Sequence, residues 1–363
     1  MVSDHSFEYA FPAVRGMQAG REYYVAMCPL KVIPKIFVFN EEELPPEVRA
    51  QRTLNQSRVP EMARYLLHNQ ESYVFSALTA SIDGDTRFEP TNGDYSPNGT
   101  LYASMEADFI INDGQHRRAA IGEAIKHDPD LGDETIAVVF FIDRGTKRAQ
   151  QMFTDLNKHA VRPSPSLNVL YDHRDPQAYV IRQVVLNSSF YKDLVEMERS
   201  NLVQRSRKLF TLSALHSATS VLLVDLGLQA PEECVALASS FWGAIADHFR
   251  DWHLVRDGMV KASEIRTNYL HTHGVVLQAI GLVGNELIKQ EPLDWSTSLA
   301  SLPAIDWSRT NPHWEGRALV MGRVKKSREN IALTANYIKT AVGVPLSDHE
   351  AELEEEFLNR EDT

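Results

Sequence analysis

The stretch that most constrains the fold is FIINDGQHRRAAIGEAIK, residues Phe109–Lys126. Phe109, Ile110 and Ile111 form an apolar run of strand length, and Asn112-Asp113-Gly114 has the composition of a tight turn. From Arg117 onward, Ala120, Ile121, Ala124 and Ile125 recur at helical spacing and predict one buried face. Strand, glycine turn and helix in immediate succession call for an α/β layer.

The helix opens on Gln115, His116, Arg117 and Arg118. A helix N-terminus carries about half a positive charge, so a cation in the first turn costs roughly 0.3–1 kcal/mol. Asp113 is placed to cap the helix and offset part of that cost. Two guanidinium groups, an imidazole and a glycine that allows close approach together describe an anion site, most often for phosphate. The alternative is that Arg117 and Arg118 are solvated or paired with acidic neighbours such as Glu123.

With 363 residues, 43% of them apolar, the chain can bury a sizeable core and calls for two or three domains. No apolar run approaches the roughly 20 residues of a membrane span, and MVSDHSFEYAFPAVRG lacks the pattern of a signal peptide. The two cysteines, Cys28 and Cys234, form no CxxC pair. That fits a reducing cytoplasm and argues against a structural zinc site. Cys28 reads as a small buried residue, with a reactive thiol as the lesser alternative.

Along the chain, Phe7–Gly20 alternates around Pro12 and predicts an edge strand and turn. Glu22–Pro34 predicts a second strand and Ile36–Phe39 a short third. Glu41–Ala50 turns on Pro45-Pro46. In the following segment Val59, Met62, Ala63, Leu66 and Leu67 mark a helix with Pro60 in its first turn. Arg52, Asn55, Gln56 and Arg58 make its entrance polar and cationic. Tyr73–Ile82 predicts a strand, Glu89–Gly99 a loop, and Thr135–Asp143 a strand buried on both faces. Ala149, Met152, Phe153 and Leu156 mark another helix, rimmed by Lys147, Arg148, Asn157, Lys158, His159 and Arg162. Pro163 and Pro165 then interrupt the chain.

From Pro176 onward the apolar spacing is helical throughout. The expected architecture is a mixed α/β domain over residues 1–170, an all-helical domain over 171–346, and an acidic tail over 347–363. Against the net charge of −12, two stretches stand out as basic: Arg199–Lys208 and Arg317–Arg328. The second holds Arg317, Arg323, Lys325, Lys326 and Arg328 with no acid, and is a candidate to contact DNA phosphates. The last 17 residues hold eight acids and one arginine. They read as a solvated helix end or a disordered extension, with a second possibility that they screen a basic face until DNA displaces them. His271 and His273 are too divergent to chelate together, and a structural role is the expectation.

Asp113-Gly114-Gln115-His116-Arg117 resembles the defining motif of the DGQHR-motif proteins, letter for letter. More specifically, the chain is similar to the DndB family of the bacterial DNA phosphorothioation, or DNA sulfur modification, clusters. QRTLNQSRVPEMARYL ahead of the motif, MFTDLNKHAVRPSPSL behind it and RTNYLHTHGVVLQAIG in the helical half extend the likeness over most of the sequence. DGQHR proteins are in turn similar to the ParB/sulfiredoxin superfamily, where a glycine-led, arginine-containing motif opens a helix and binds nucleotide phosphates. Gly114, His116 and Arg117 match the glycine, histidine and arginine of the sulfiredoxin motif. Gln115 stands where that motif has its reactive cysteine, so sulfinic-acid reductase chemistry is not implied. Arg58 resembles the earlier arginine block of such folds.

The resemblance implies a DNA-binding transcriptional repressor acting on double-stranded DNA at the promoter of its own gene cluster. It also implies a phosphate or nucleotide pocket for ATP or CTP built from Arg58, Asp113, Gly114, Gln115, His116, Arg117 and Arg118. The expected protein is a cytoplasmic homo-oligomer with no membrane partner, and a regulator more than an enzyme. The second reading is a nucleotide-binding or nucleotide-hydrolysing switch. Neither GxxxxGK[ST] nor GxGxxG occurs, so hydrolysis would draw on Asp83, Asp85, Asp113 and Asp143 to hold a metal. A ParB-like nuclease is the third reading, and it lacks a compact acidic motif.

Overall fold

The computed structural model describes residues 7–37, 58–143, 151–152, 154–156, 163–290 and 295–361. The chain divides into two compact units, Met1–Val161 and Arg162–Thr363.

The first unit is built on strands β1 (Glu8–Gln18), β2 (Arg21–Pro29), β3 (Leu78–Asp83), β4 (Thr86–Pro90), β5 (Asn98–Ser104), β6 (Asp108–Asp113) and β7 (Thr135–Ile142). They form one sheet in the order β4-β5-β1-β2-β7-β3-β6. β3 and β7 run parallel, and every other pairing is antiparallel. Ile136, Val138 and Phe140 of β7, Leu78, Ala80 and Ile82 of β3, and Ala26 and Cys28 of β2 are buried in one core. Three helices belong to it: α1 (Ile33–Ile36), α2 (Arg58–His68) and α3 (Gln115–His127). α3 contributes Ala120, Ile121 and Ala124, the face that its apolar spacing predicts.

Several elements depart from their sequence reading. β1 is an interior strand between β5 and β2; Pro12 is tolerated because β2 joins the ladder only from Ala13 onward. Ile33 and Ile36 lie in a helical turn started by Pro34, because three-residue spacing buries both side chains on one side. The strand expected over Ile36–Phe39 therefore begins as helix at Ile36, and its residues 38–39 lie outside the described residues. β3 starts at Leu78, five residues later than expected, while Tyr73 and Phe75 pack edge to face with each other and Phe75 stacks on Tyr65. The segment Glu89–Gly99 contains the end of β4 and the start of β5, a hairpin hidden by its polar, exposed face. Residues 41–57, with Arg52, Asn55 and Gln56, lie outside the described residues, as do Lys147, Arg148, Ala149, Phe153, Asn157, Lys158, His159 and Arg162.

The second unit is mostly helical. Its helices include α4 (Pro165–Tyr171), α5 (Pro176–Asn187), α6 (Leu212–Leu222), α7 (Pro231–His248), α8 (Ala262–Asn268), α9 (Gly274–Gln290), α10 (Arg328–Val342) and α11 (Asp348–Glu361). α9 is central, buried on most of its circumference and packed against α6 and α10. Gly281 lets α6 approach: a Cβ there would stand 2.3 Å from the Ala218 carbonyl oxygen. Trp242, Trp252 and Trp314 fill the core, each with its indole N–H hydrogen-bonded. Two pairs of two-residue strands punctuate the helices, Val195–Glu196 with Phe210–Thr211 and Leu319–Val320 with Arg323–Val324.

Acidic α11 is folded and packed. Glu350 and Glu286 take the ammonium of Lys339, at 2.5 and 2.7 Å, although Lys339 is only 1% exposed. Glu354 grips Arg317 bidentately, and Phe357 lies under the same guanidinium at 4.5 Å. The reading of the tail as a disordered extension fails here: α11 is a helix with most of its residues exposed, as a solvated helix end would be, but its Glu350 and Glu354 are counter-charges of two buried cations.

Candidate functional site

The candidate site is the junction of β6 and α3. Gly114 is the N-cap residue and holds φ at 104°, in the left-handed region that glycine alone adopts without strain. A Cβ at Gly114 would lie 2.4 Å from Leu78 Cδ2 and 2.9 Å from Arg117 Nη2. The close approach that Gly114 permits is thus occupied by the chain's own atoms.

Asp113 does not cap α3, which has no side-chain cap. Its carboxylate accepts from Arg117 Nη2 at 2.7 Å, and the same nitrogen also faces the Ala77 carbonyl at 3.3 Å. The pairing of Arg117 with an acid is one of the two sequence readings; the acid is Asp113 and not Glu123, which pairs with Lys126 and His127. The i,i+4 spacing, acid first, is that of a helical ion pair, but Asp113 ends β6, so the bond joins strand to helix across the Gly114 turn. Arg118 donates to the Pro34 carbonyl at 3.2 Å, across 84 residues of sequence and with no local signal. Burial lowers the Arg118 pKa from its ordinary value.

Arg58, exposed at the start of α2, and Arg117 both act on His116. Burial, then the charges of Arg58 and Arg117, hold its imidazole below the ordinary 6.5, so it is neutral at pH 7. Gln115 is 9% exposed. Its Nε2, with Arg117 Nε and Arg118 Nε, is buried without a hydrogen-bond acceptor among the described residues. Three donors in one helical turn therefore lack acceptors, which is the electrostatic character of a site for an anion or a polar acceptor. Behind them Asn112, fully buried, donates to Ser81 Oγ at 2.7 Å and ties β6 to β3. Sequence reasoning places Asn112 in the turn, whereas β6 runs on through Asp113, and it passes over Ser81; a pairing across strands carries no spacing signal.

The four aspartates considered for metal do not converge. Thr79 of β3 pairs with Asp113, whereas Asp83 pairs with Asp108 and Ile82 with Ile142, next to Asp143. Asp113 therefore stands at the opposite end of β3 from Asp83 and Asp143. No group of three or more histidines, cysteines and acids able to hold a metal occurs among the described residues. Burial raises the Asp143 pKa, with Arg21 acting against it. Cys28 is fully buried and its thiol is pushed up to about 12, so it is protonated at neutral pH.

In the helical unit the five candidate DNA-contacting cations separate. Arg323, Lys325, Lys326 and Arg328 are exposed. Arg317 is 5% exposed, and its guanidinium is held by Glu354 and the Leu333 carbonyl at 3.0 Å. That burial removes Arg317 from the phosphate-contacting set. His271 is buried and accepts from the Trp252 indole at 2.9 Å, while His273 Nε2 hydrogen-bonds the Arg266 carbonyl at 2.9 Å. Both imidazoles are used in packing and do not face a common ligand.

An α/β unit whose Asp-Gly-Gln-His-Arg turn opens a helix, followed by a mostly helical unit, defines the class. The chain belongs to the DndB family, described as DNA-sulfur modification-associated, whose family model matches residues 11–345. Membership ties the protein to a DNA sulfur modification system. No curated protein and no solved structure matches the chain significantly. No helix among the described residues is long and apolar enough to cross a membrane.

Proposed function

We propose that the protein is a DNA-binding repressor of a phosphorothioation gene cluster, acting as a homo-oligomer on its own promoter. The observation that carries this reading is the hairpin at Leu319–Val324 with the basic segment after it. Met321 and Gly322 both have positive φ, at 51° and 69°, which makes a two-residue primed turn. Glu315 fixes that turn by accepting from the amides of Met321 and Gly322. Arg323, Lys325, Lys326 and Arg328 then stand exposed on a short, constrained segment. Four cations on a preorganised segment of an acidic chain suit a phosphate backbone, since the acidic remainder opposes non-specific attachment.

The test is a titration of promoter DNA with wild type and an Arg323→Ala/Lys325→Ala variant over a range of salt. Wild type should bind tightly and lose affinity steeply with salt. The variant should bind more weakly, with the slope of log affinity against log salt reduced by about 2. Absence of promoter binding by wild type overturns the reading.

A second reading, a nucleotide-responsive switch, is favoured by the three acceptor-less donors at Gln115, Arg117 and Arg118. In that reading Arg58 and His116 hold the phosphates of ATP or CTP, and the nucleotide changes DNA affinity. Adding either nucleotide to the same titration tests it: an effect on wild type that Arg117→Ala abolishes supports the switch, and no effect removes it.

A further inference from the structure

A polar cleft in the helical unit lies apart from the DGQHR site and shares one residue, Lys326, with the exposed cations around Arg323. It measures about 630 Å³, within the usual range for small-molecule sites. The two basic stretches of the sequence meet there: Ser200 and Gln204 come from the first, Lys326 from the second. Hydroxyls of Ser213, Ser217 and Thr272 line its walls, and no aspartate or glutamate does so among the described residues. On a chain with 49 acids and 37 basic residues, a cleft of this size without a carboxylate is selectively positive.

Two features of the cleft point to an anion. The first is the N-terminus of the 17-residue helix α9. The first intrahelical bond runs from Leu277 N–H to the His273 carbonyl, so the amides before it have no intrahelical acceptor and carry the positive end of the dipole. Lys326 lies over that end, its Nζ 3.8 Å from the point where a Gly274 Cβ would stand. Cation against positive helix end is repulsive by itself and becomes favourable when an anion sits between them. The second feature is independent. Thr272 is 5% exposed, lines the cleft, and its Oγ1 has no hydrogen-bond partner among the described residues. A buried hydroxyl without a partner costs about 1–3 kcal/mol; Oγ1 is closed to solvent in this structure, and a small movement of the lining on binding would bring a ligand oxygen within its reach.

The wall is preorganised. Arg266 Nη2 donates to the Val203 carbonyl at 3.1 Å and to those of Gln204 and Ser206 at 3.4 Å, which pins the loop that closes one side. Ser166 Oγ donates to the Arg199 carbonyl at 3.0 Å, and Ser166 N–H donates to Ser200 Oγ at 3.1 Å. Lys326 is exposed as a residue, yet the protein around its ammonium desolvates it and lowers its pKa, which an incoming anion would reverse.

We propose that this cleft binds the phosphate groups of a nucleotide-sized ligand, with Lys326, the amides at the start of α9 and Thr272 Oγ1 as its donors. The phosphate ester could be that of a free nucleotide or of a DNA strand end, and the two sources are separated by the probe. Full-length protein is titrated calorimetrically with ATP, with pyrophosphate and with a short DNA duplex. Lys326→Met and Thr272→Val are compared with wild type, and thermal melts check their folding. Lys326→Met should weaken binding of the active probe about tenfold or more. Thr272→Val should weaken it severalfold while leaving the melting temperature unchanged or higher, since it removes an unsatisfied group. ATP or pyrophosphate binding identifies a free nucleotide as the source; binding of the duplex alone identifies DNA in the cleft only when Thr272→Val weakens it, since Lys326 is shared with the exposed cations around Arg323. The proposal is overturned if wild type binds none of the probes. It is also overturned if binding is unaffected by both variants or responds only to Arg117→Ala. Promoter binding that depends on Arg323 and Lys325 is a separate measurement, so either result can fail without the other.

Discussion

Gly114 shows how much one residue settles locally. Its φ of 104° and the 2.4 Å gap between a notional Cβ and Leu78 act together, so Gly114→Ala meets both backbone strain and a clash with a buried leucine. The expected loss is about 2–3 kcal/mol in a denaturant titration, with the Arg117–Asp113 pair displaced as well. A change under about 0.5 kcal/mol would show that the turn relaxes freely. Asp113 and Arg117 illustrate the limit of reading residue types alone. By type both belong to a site for an external anion, and each instead supplies the other's charge. Nε of Arg117, Nε of Arg118 and Nε2 of Gln115 are the donors still open.

Helix α11 decides the fate of the basic stretch at the element scale. Arg317 and Lys339 are nearly inaccessible and are neutralised by Glu354, Glu350 and Glu286. Removing one partner of a buried ion pair costs about 3–5 kcal/mol because the other charge stays desolvated. Glu354→Gln is therefore expected to destabilise the protein by about 3 kcal/mol, and a chain ending at residue 346 by more, as read by thermal or chemical unfolding. If α11 served only to screen DNA, truncation would instead raise DNA affinity and leave stability unchanged. The hairpin at Met321–Gly322 is the complementary case, since the turn that presents Arg323 and Lys325 is held by Glu315 from the preceding loop.

Across the whole molecule, acid stability follows from buried histidines. Burial holds His271 and His273 below the ordinary 6.5, and His116 likewise, with neighbouring cations adding to the effect at His116 and His273. A histidine with a depressed folded-state pKa binds its proton more readily when unfolded. Stability is then complete above about pH 6.5 and falls as the pH drops from there toward the lower folded-state values. Melting temperatures between about pH 8 and 5 should decline below about 6.5, and His271→Asn should flatten part of that decline. The sequence by itself determined the strand–glycine–helix junction, the long apolar strand β7, the helical character of the second half and the family likeness. All of these depend on local periodicity, turn chemistry or contiguous letters. Tertiary structure alone decided that β1 lies inside the sheet, that Arg317 is buried while Arg323 is exposed, and that Ser200, Thr272, Gly274 and Lys326 share one cleft. Those outcomes depend on partners tens of residues away, and burial and charge pairing across such separations leave no trace in local spacing.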